Sequence, residues 1–149
     1  TQGAGIMNKL FDGYAPWFGP IPQRISGAMI SDRKGKVTTY ACLGMVDRGE
    51  LFIEVGTEVY DGMIIGVRNR TEDLSVNITR EKKLTNMRAA SSDSTVVLRP
   101  PKKLSLDQSI EFIAEDELVE VTPDSIRLRK MELDANKRAS DHRKAKYAS

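Results

Sequence analysis

One cysteine, Cys42, one histidine, His142, and an aromatic content of 6% set the first limits on this chain. A single thiol cannot close an internal disulfide. Cys42 sits in a mostly apolar run, 40–46, where it reads as a buried residue with no base beside it in sequence. Such cysteine usage fits a reducing compartment. One histidine without companion cysteines leaves no metal-spaced set, so no metal is expected. His142 lies in a polar tail and reads as a solvated side chain, around which neither a Ser/His/Asp nor a Cys/His arrangement can be assembled. The acids Glu111, Glu115 and Glu120 flank apolar residues and read as surface groups rather than as a hydrolytic pair. Gly3 and Gly5 lack the Gly-Lys-Ser/Thr element of a nucleotide loop, so the chain alone should bind neither GTP nor ATP and needs no cofactor. No apolar run reaches the roughly 18 residues of a membrane-spanning helix, which excludes one. No basic-then-apolar leader opens the chain, and Thr1 is read as a boundary within a longer polypeptide.

What is present is a chain of 149 residues with 40% hydrophobic content, enough for one ordinary domain with a modest core. The net charge is only +2, but it is unevenly placed. Residues 1–79 carry eight bases and nine acids, and residues 80–103 carry seven bases against two acids. Residues 104–126 carry seven acids and no base, and residues 127–149 carry eight bases against three acids. Such polarity suits oriented docking on a polyanion. Equally, the acidic block could balance the basic tail within one fold.

Taken in order, the chain opens on TQGAGIMNKLF, where Ile6 and Leu10 allow a helix and the two glycines favour an edge strand ending near Phe11. YAPWFGPIP, 14–22, is a connector whose prolines hold their predecessors extended. Its Trp17 and Phe18 read as a plug in a domain seam, with base stacking as the alternative. Strands are predicted over 27–31 and 37–45, joined by the turn DRKGK as a hairpin. Further strands are predicted over 51–55, 63–67 and 74–79, and glycines 56, 62 and 66 suggest the bends of a small barrel. A short strand over 96–98 would precede Pro100 and Pro101. The clearest helix is 104–114, with Ser105 as N-cap and Gln108 completing a capping box. Strands over 118–121 and 126–131 follow. The latter sets Arg127 and Arg129 on one solvent face. Residues 132–149 read as a marginal helix or a disordered tail, with Leu133 anchoring its start.

The stretch 80–103, REKKLTNMRAASSDSTVVLRPPKK, organises the functional reading. Its centre is small and polar, as in a loop, while both flanks are basic. Lys82, Lys83 and Arg88 straddle the tip, and Lys102 and Lys103 stand near the base. Arg127, Arg129 and Lys130 lie on a strand, and the tail adds Lys137, Arg138, Arg143, Lys144 and Lys146. Arg68 and Arg70 would widen the patch if the fold brings them close. Lysines give salt-sensitive attraction to phosphates, and arginines can add bidentate contacts. Asn86 could hydrogen-bond a base or ribose, and Met87 could rest on an exposed base. The competing reading is a solubilising hairpin. A third reading is a protein-interaction or structural domain that uses the acidic helix 104–117.

The strings QGAGIMNKLFDGY, GKVTTYACLGMVDRGELFIEVGTEVYDGMIIG, DLSVN, KKLTNMRA and DELVEVTPDSIRLRK closely resemble the TypA/BipA family of translational GTPases, over nearly the whole chain. The resemblance implies a parent protein with a GTPase domain, a β-barrel domain, two elongation-factor-G-like α/β domains and a distinctive C-terminal domain. On this view residues 1–22 are the terminal strand and linker of a truncated ferredoxin-like α/β domain. Residues 23–131 are the C-terminal RNA-docking domain, and 132–149 a basic tail. GTP and magnesium would belong to the missing GTPase domain, so no catalytic residue carries over. The implied partners are the ribosome, 23S ribosomal RNA, the tRNA acceptor end and the upstream domains, with no membrane. The implied setting is large-subunit assembly and stress-adapted translation, in a bacterial cytoplasm or, for a plant or alga, a chloroplast stroma. The family's mobile loop matches residues 82–93, which places Lys82, Lys83, Asn86 and Arg88 nearest RNA.

The expected architecture is mainly β: a small antiparallel barrel-like domain of about six to eight strands with one packed helix. Its apolar face would use Val37, Tyr40, Leu43, Ile53, Val55, Ile64, Ile65, Val76, Ile78, Ile110 and Ile113. Residues 86–94 are expected to be mobile in the absence of RNA.

Overall fold

The apolar run at 63–67 becomes the axis of the molecule. In the computed structural model, which describes residues 6, 8–17, 19, 24–82 and 98–147, this run lies in strand β5 (Met63–Arg68), flanked by strands on both sides. On one side lies β1 (Ala28–Ser31), antiparallel, with Ala28 opposite Val67 and Ile30 opposite Ile64 and a bulge between Met29 and Ile30. On the other side two strands share the edge of β5. Its first half pairs with β8 (Ile126–Lys130) and its second half with β3 (Gly49–Leu51). Strand β6 (Leu74–Val76) runs parallel to β1, and β7 (Glu117–Val121) forms a hairpin with β8. The order β6-β1-β5-β8-β7, with β3 also on β5, makes a six-stranded sheet. A second, two-stranded sheet joins β2 (Gly35–Lys36) to β4 (Glu58–Val59).

Period-two alternation divides the buried residues of β1 and β5 between two cores. Met29, Met63 and Ile65 join Val37, Ala41, Cys42, Val59, Val76 and Ile78 on one face. Ala28, Ile30 and Ile64 join Leu128 on the other, covered by Phe52, Leu104, Phe112, Ile113 and Val119. Strands buried on both faces read as continuous apolar runs, as these two do.

This two-sided burial overturns the expectation of a barrel. A small barrel has one filled interior, whereas this sheet is open, with β6 and β7 at its ends. It is a mixed α/β fold: among the described residues the sheet is mostly antiparallel with one parallel pair, and three helices pack with it or extend from it. The strand expected over 37–45 is largely a helix, α1 (Thr39–Leu43). The β-branched residues that suggested a strand lie at its start, where Thr38 is the N-cap and accepts a hydrogen bond from the Ala41 amide. Among the glycines read as bends, Gly56 and Gly62 do turn the chain at positive φ, but Gly66 lies within β5. The strand expected at the chain start does not form among the described residues. Leu10, Phe11, Tyr14 and Trp17 are all exposed there. The expected strand over 96–98 falls largely outside the described residues, and its last member, Leu98, is not in a strand.

Other expectations hold. Helix α2 (Leu106–Phe112) carries the full capping box of Ser105 and Gln108, with Asp107 in its first turn. Val37, Ile64, Ile65, Val76 and Ile78 are core residues, and Cys42 is buried, which pushes its thiol pKa up. Tyr40, Val55 and Ile110 are instead exposed, at 41%, 46% and 54%. The tail adopts its helical alternative, α3 (Ala135–Tyr147). Asp134 accepts from the amides of Asn136 and Lys137 at the helix start, and Leu133 lies against Gly62.

Candidate nucleic-acid interface

The two stems of the basic loop leave from fixed points. On the way in, the Thr38 hydroxyl donates to the carbonyl of Arg80 at 2.5 Å, while its amide donates to the Ile78 carbonyl at 3.2 Å. The Arg80 guanidinium lies over the Tyr40 ring, 5.6 Å from its centroid. On the way out, Leu98 packs on the first core and the Lys102 amide donates to the Leu51 carbonyl at 2.9 Å. The N-cap of α1 and the end of β3 therefore hold the ends of the segment. Lys83, Asn86, Met87 and Arg88 lie within residues 83–97, outside the described residues, as does the expected mobility of 86–94.

The cations expected around the loop separate into three environments. Lys82, Lys102 and Arg143 are exposed, and Arg127 is half-buried; none of the four makes an ion pair among the described residues. Lys103, Lys137 and Lys144 are exposed, each with one carboxylate: Glu54 at 2.8 Å, Glu132 at 3.5 Å and Asp141 at 3.7 Å. The hydrogen bond and charge of Glu54 raise the pKa of Lys103, and Lys103 in turn lowers that of Glu54. Arg129 pairs with Glu120 at 3.2 Å. Glu120 also accepts from the Tyr60 hydroxyl at 2.6 Å, and burial followed by this bond pushes the phenol pKa up. Arg138 donates to the carbonyls of Glu132 and Leu133, and so holds the first turn of α3.

Lys130 sits elsewhere altogether. It is 2% exposed, and its Nζ lies 2.6 Å from Asp73, 2.8 Å from Asp116 and 2.9 Å from Glu117. Burial alone would lower its pKa, but hydrogen bonds to Asp116, Asp73 and Glu117 outweigh that and raise it. Arg24 completes the cluster. It grips both carboxylate oxygens of Glu117 at 2.7 and 2.8 Å, and its guanidinium lies over the Phe112 ring, 4.4 Å from the centroid. Lys130 therefore leaves the set of surface cations. Alternation contained the signal: two residues beyond Leu128 on one strand, Lys130 falls on the buried face. Arg24 carried no such signal, because its partner lies 93 residues away.

Sequence reasoning singled out Arg68 and Arg70 but missed Arg48. The structure brings the three together. Arg48, Arg68, Asn69 and Arg70, with Asp47 and Leu74, line a cleft of about 340 Å³ at the end of β5. Asn69 also borders a second depression of about 190 Å³ that reaches Arg99, Pro100 and Pro101 at the loop exit. Among the described residues, no group of His, Cys, Asp and Glu has the arrangement of a metal site.

Comparison with known proteins gives the family. The family model for the TypA/BipA C-terminal domain matches residues 26–135. The chain is 46% identical over 149 residues to the large ribosomal subunit assembly factor BipA of Bacillus subtilis, covering 99% of the chain. It is 49% identical over 146 residues to the protein of that name from Salmonella typhimurium, and 49% over 144 residues to that from Haemophilus influenzae, each covering 96% of the chain. It spans only 24%, 24% and 23% of those relatives' lengths. With the family model spanning β1 to the start of α3, the chain belongs to the TypA/BipA family and corresponds to its C-terminal domain.

Proposed function

We propose that this domain is the RNA-docking module of a ribosome-associated translational GTPase, with no catalytic role of its own. One observation carries the reading: both stems of the loop spanning 83–97 are fastened to the folded body, with Lys82 exposed at one and Lys102 and Lys103 at the other. Such an arrangement fixes where the cationic segment enters and leaves the folded body. The relatives' name, large ribosomal subunit assembly factor, supports ribosomal RNA as the polyanion. In this reading the loop residues Lys82, Lys83, Asn86, Met87 and Arg88 meet 23S RNA, with the tRNA acceptor end as a further contact. Lys102, Lys103, Arg127, Arg129, Lys137, Arg138, Arg143 and Lys144 supply a surrounding field of graded strength. GTP and magnesium act in the parent's GTPase domain, and the upstream domains are its partners in the same protein. A cytoplasmic, ribosome-bound location suits the bacterial relatives.

The test is binding of the chain to large ribosomal subunits across a salt series. Alanine at Lys82, Lys83 and Arg88 together should weaken binding and flatten its salt dependence, because each lost phosphate contact releases fewer counterions. Equal binding by the wild type and this triple variant would defeat the loop assignment. A second reading rests on α2, whose Leu106 and Ile110 are 41% and 54% exposed beside Asp107 and Glu111. Capture of a protein partner that resists nuclease and is lost on Ile110→Asp would favour this reading.

A further inference from the structure

We propose that the arginine cleft at the end of β5 is a second RNA-backbone site, built to hold the phosphodiester of a strand that also reaches Arg99 at the loop exit. The proposal rests on the RNA-docking reading and adds a location to it. The cleft is formed by backbones that approach unusually closely. The Gly27 amide donates to the Arg70 carbonyl at 2.7 Å, and the Arg68 amide returns a bond to the Gly27 carbonyl at 2.8 Å. From the other flank, the Asn69 amide donates to the Arg48 carbonyl at 2.9 Å. A Cβ at Gly27 would come within 2.2 Å of the Glu72 carbonyl oxygen, and one at Gly49 within 1.9 Å of that of Val67, so both positions need glycine. Residues 68–70 are thus clamped between β1 and the turn before β3, and three guanidinium groups project from a fixed frame.

Among the described residues no carboxylate pairs with the charges of this frame, Arg48, Arg68 and Arg70. Arg68 is steadied through Nη1 by the Glu72 carbonyl at 2.8 Å, a contact that leaves its charge uncancelled. The nearby Asp73 carboxylate is held by the Lys130 ammonium at 2.6 Å and the Ala28 amide at 2.7 Å. Asp47 is the one acid lining the cleft, against three arginines. Planar, permanently charged forks in a preformed recess are suited to phosphate oxygens. Asn69 lines both depressions, and the second, with Glu50 as its one acid, reaches Arg99 at the loop exit. A strand passing over Asn69 would meet the cleft and Arg99 at once, whereas a free phosphate would use only the first.

The probe is a labelled single-stranded RNA oligomer, titrated with the chain by fluorescence anisotropy at several salt concentrations. Arg48→Ala and Arg70→Ala should each weaken binding and reduce the slope of log K against log salt by about 0.7, the value for one contact to a single strand. Asp47→Asn should tighten binding, a gain that misfolding cannot mimic. Inorganic phosphate at matched ionic strength should compete poorly. If the loop variant loses affinity while both arginine variants keep wild-type affinity and slope, the cleft proposal is wrong and the docking reading stands. Efficient competition by inorganic phosphate would overturn the strand assignment in favour of a small-anion site. Wild-type chain that bound neither RNA nor large subunits would remove the docking reading, and this inference with it.

Discussion

Two clusters of charge sit on this small fold and behave oppositely. In the inner one, Arg24 and Lys130 meet Asp73, Asp116 and Glu117, and the Glu117 side chain is wholly buried. In the outer one, Arg48, Arg68 and Arg70 line a cleft with Asp47 alone opposite them. Residue type does not distinguish them, since both use long cations. The difference lies in the count of partners and in access to water. A buried cation without carboxylates is too costly to keep, so the inner cluster is saturated and structural. An exposed cation needs no partner, and its field extends to approaching ligands. The inner cluster also links distant parts of the chain, from Arg24 before β1 to Lys130 at the end of β8.

The most severe loss should come from Lys130→Met. Removing the ammonium leaves three carboxylates facing one another with Arg24 alone, and the domain should lose about 3–5 kcal/mol of stability by urea unfolding. A loss under about 1 kcal/mol would mean that the inner cluster is no more structural than the outer. Next in size is Arg24→Met. It removes a bidentate, charge-assisted pair but leaves Lys130 on Glu117, so about 2–3 kcal/mol should be lost. Arg24→Lys should recover only part of this, because an ammonium cannot reproduce the fork on Glu117 or lie over Phe112 as a plane does.

A smaller, pH-dependent effect follows from the raised pKa of Lys130. The ammonium is favoured more in the folded than in the unfolded chain, so its contribution is fully present below the ordinary lysine value of 10.5. It is lost as pH rises through the higher folded value. Other lysines and tyrosines titrate in the same range, so the informative quantity is the difference between wild type and Lys130→Met. That difference should be constant from neutral pH to about 9.5 and shrink above about 10.5. A gap that narrows below pH 9 would contradict a raised pKa.

How much of this was legible in the sequence depended on whether the deciding contact was local. The capping box was readable because Ser105 and Gln108 are three residues apart, and it formed as expected. The inward aim of Lys130 was readable by counting two from Leu128. The helix at Thr39–Leu43 was obscured because β-branching at Val37, Thr38 and Thr39 pointed to a strand, while Thr38 served as a cap. The open sheet could not be read from glycine spacing, since burial on the second face of β1 and β5 depends on α2 and β8 arriving from far along the chain. Arg48 was passed over in a turn. Its bond to Asn69 and the pairing of Gly49 with Arg68 are what set it beside Arg70.

The smallest expected effect is the most discriminating. Arg48→Ala and Arg70→Ala should each change stability by no more than about 0.5 kcal/mol, because both side chains are exposed and neither has an ion-pair partner among the described residues. Arg68→Ala should cost somewhat more, about 1 kcal/mol, since its guanidinium also ties down the carbonyl of Glu72 at 2.8 Å. Parallel unfolding of the three variants checks this order. An Arg48→Ala loss above about 1 kcal/mol would show that the outer arginines brace the fold. Weaker RNA binding by the variant would then be explained by damage to the frame, and the contrast between a saturated interior cluster and an unsatisfied exterior one would no longer hold.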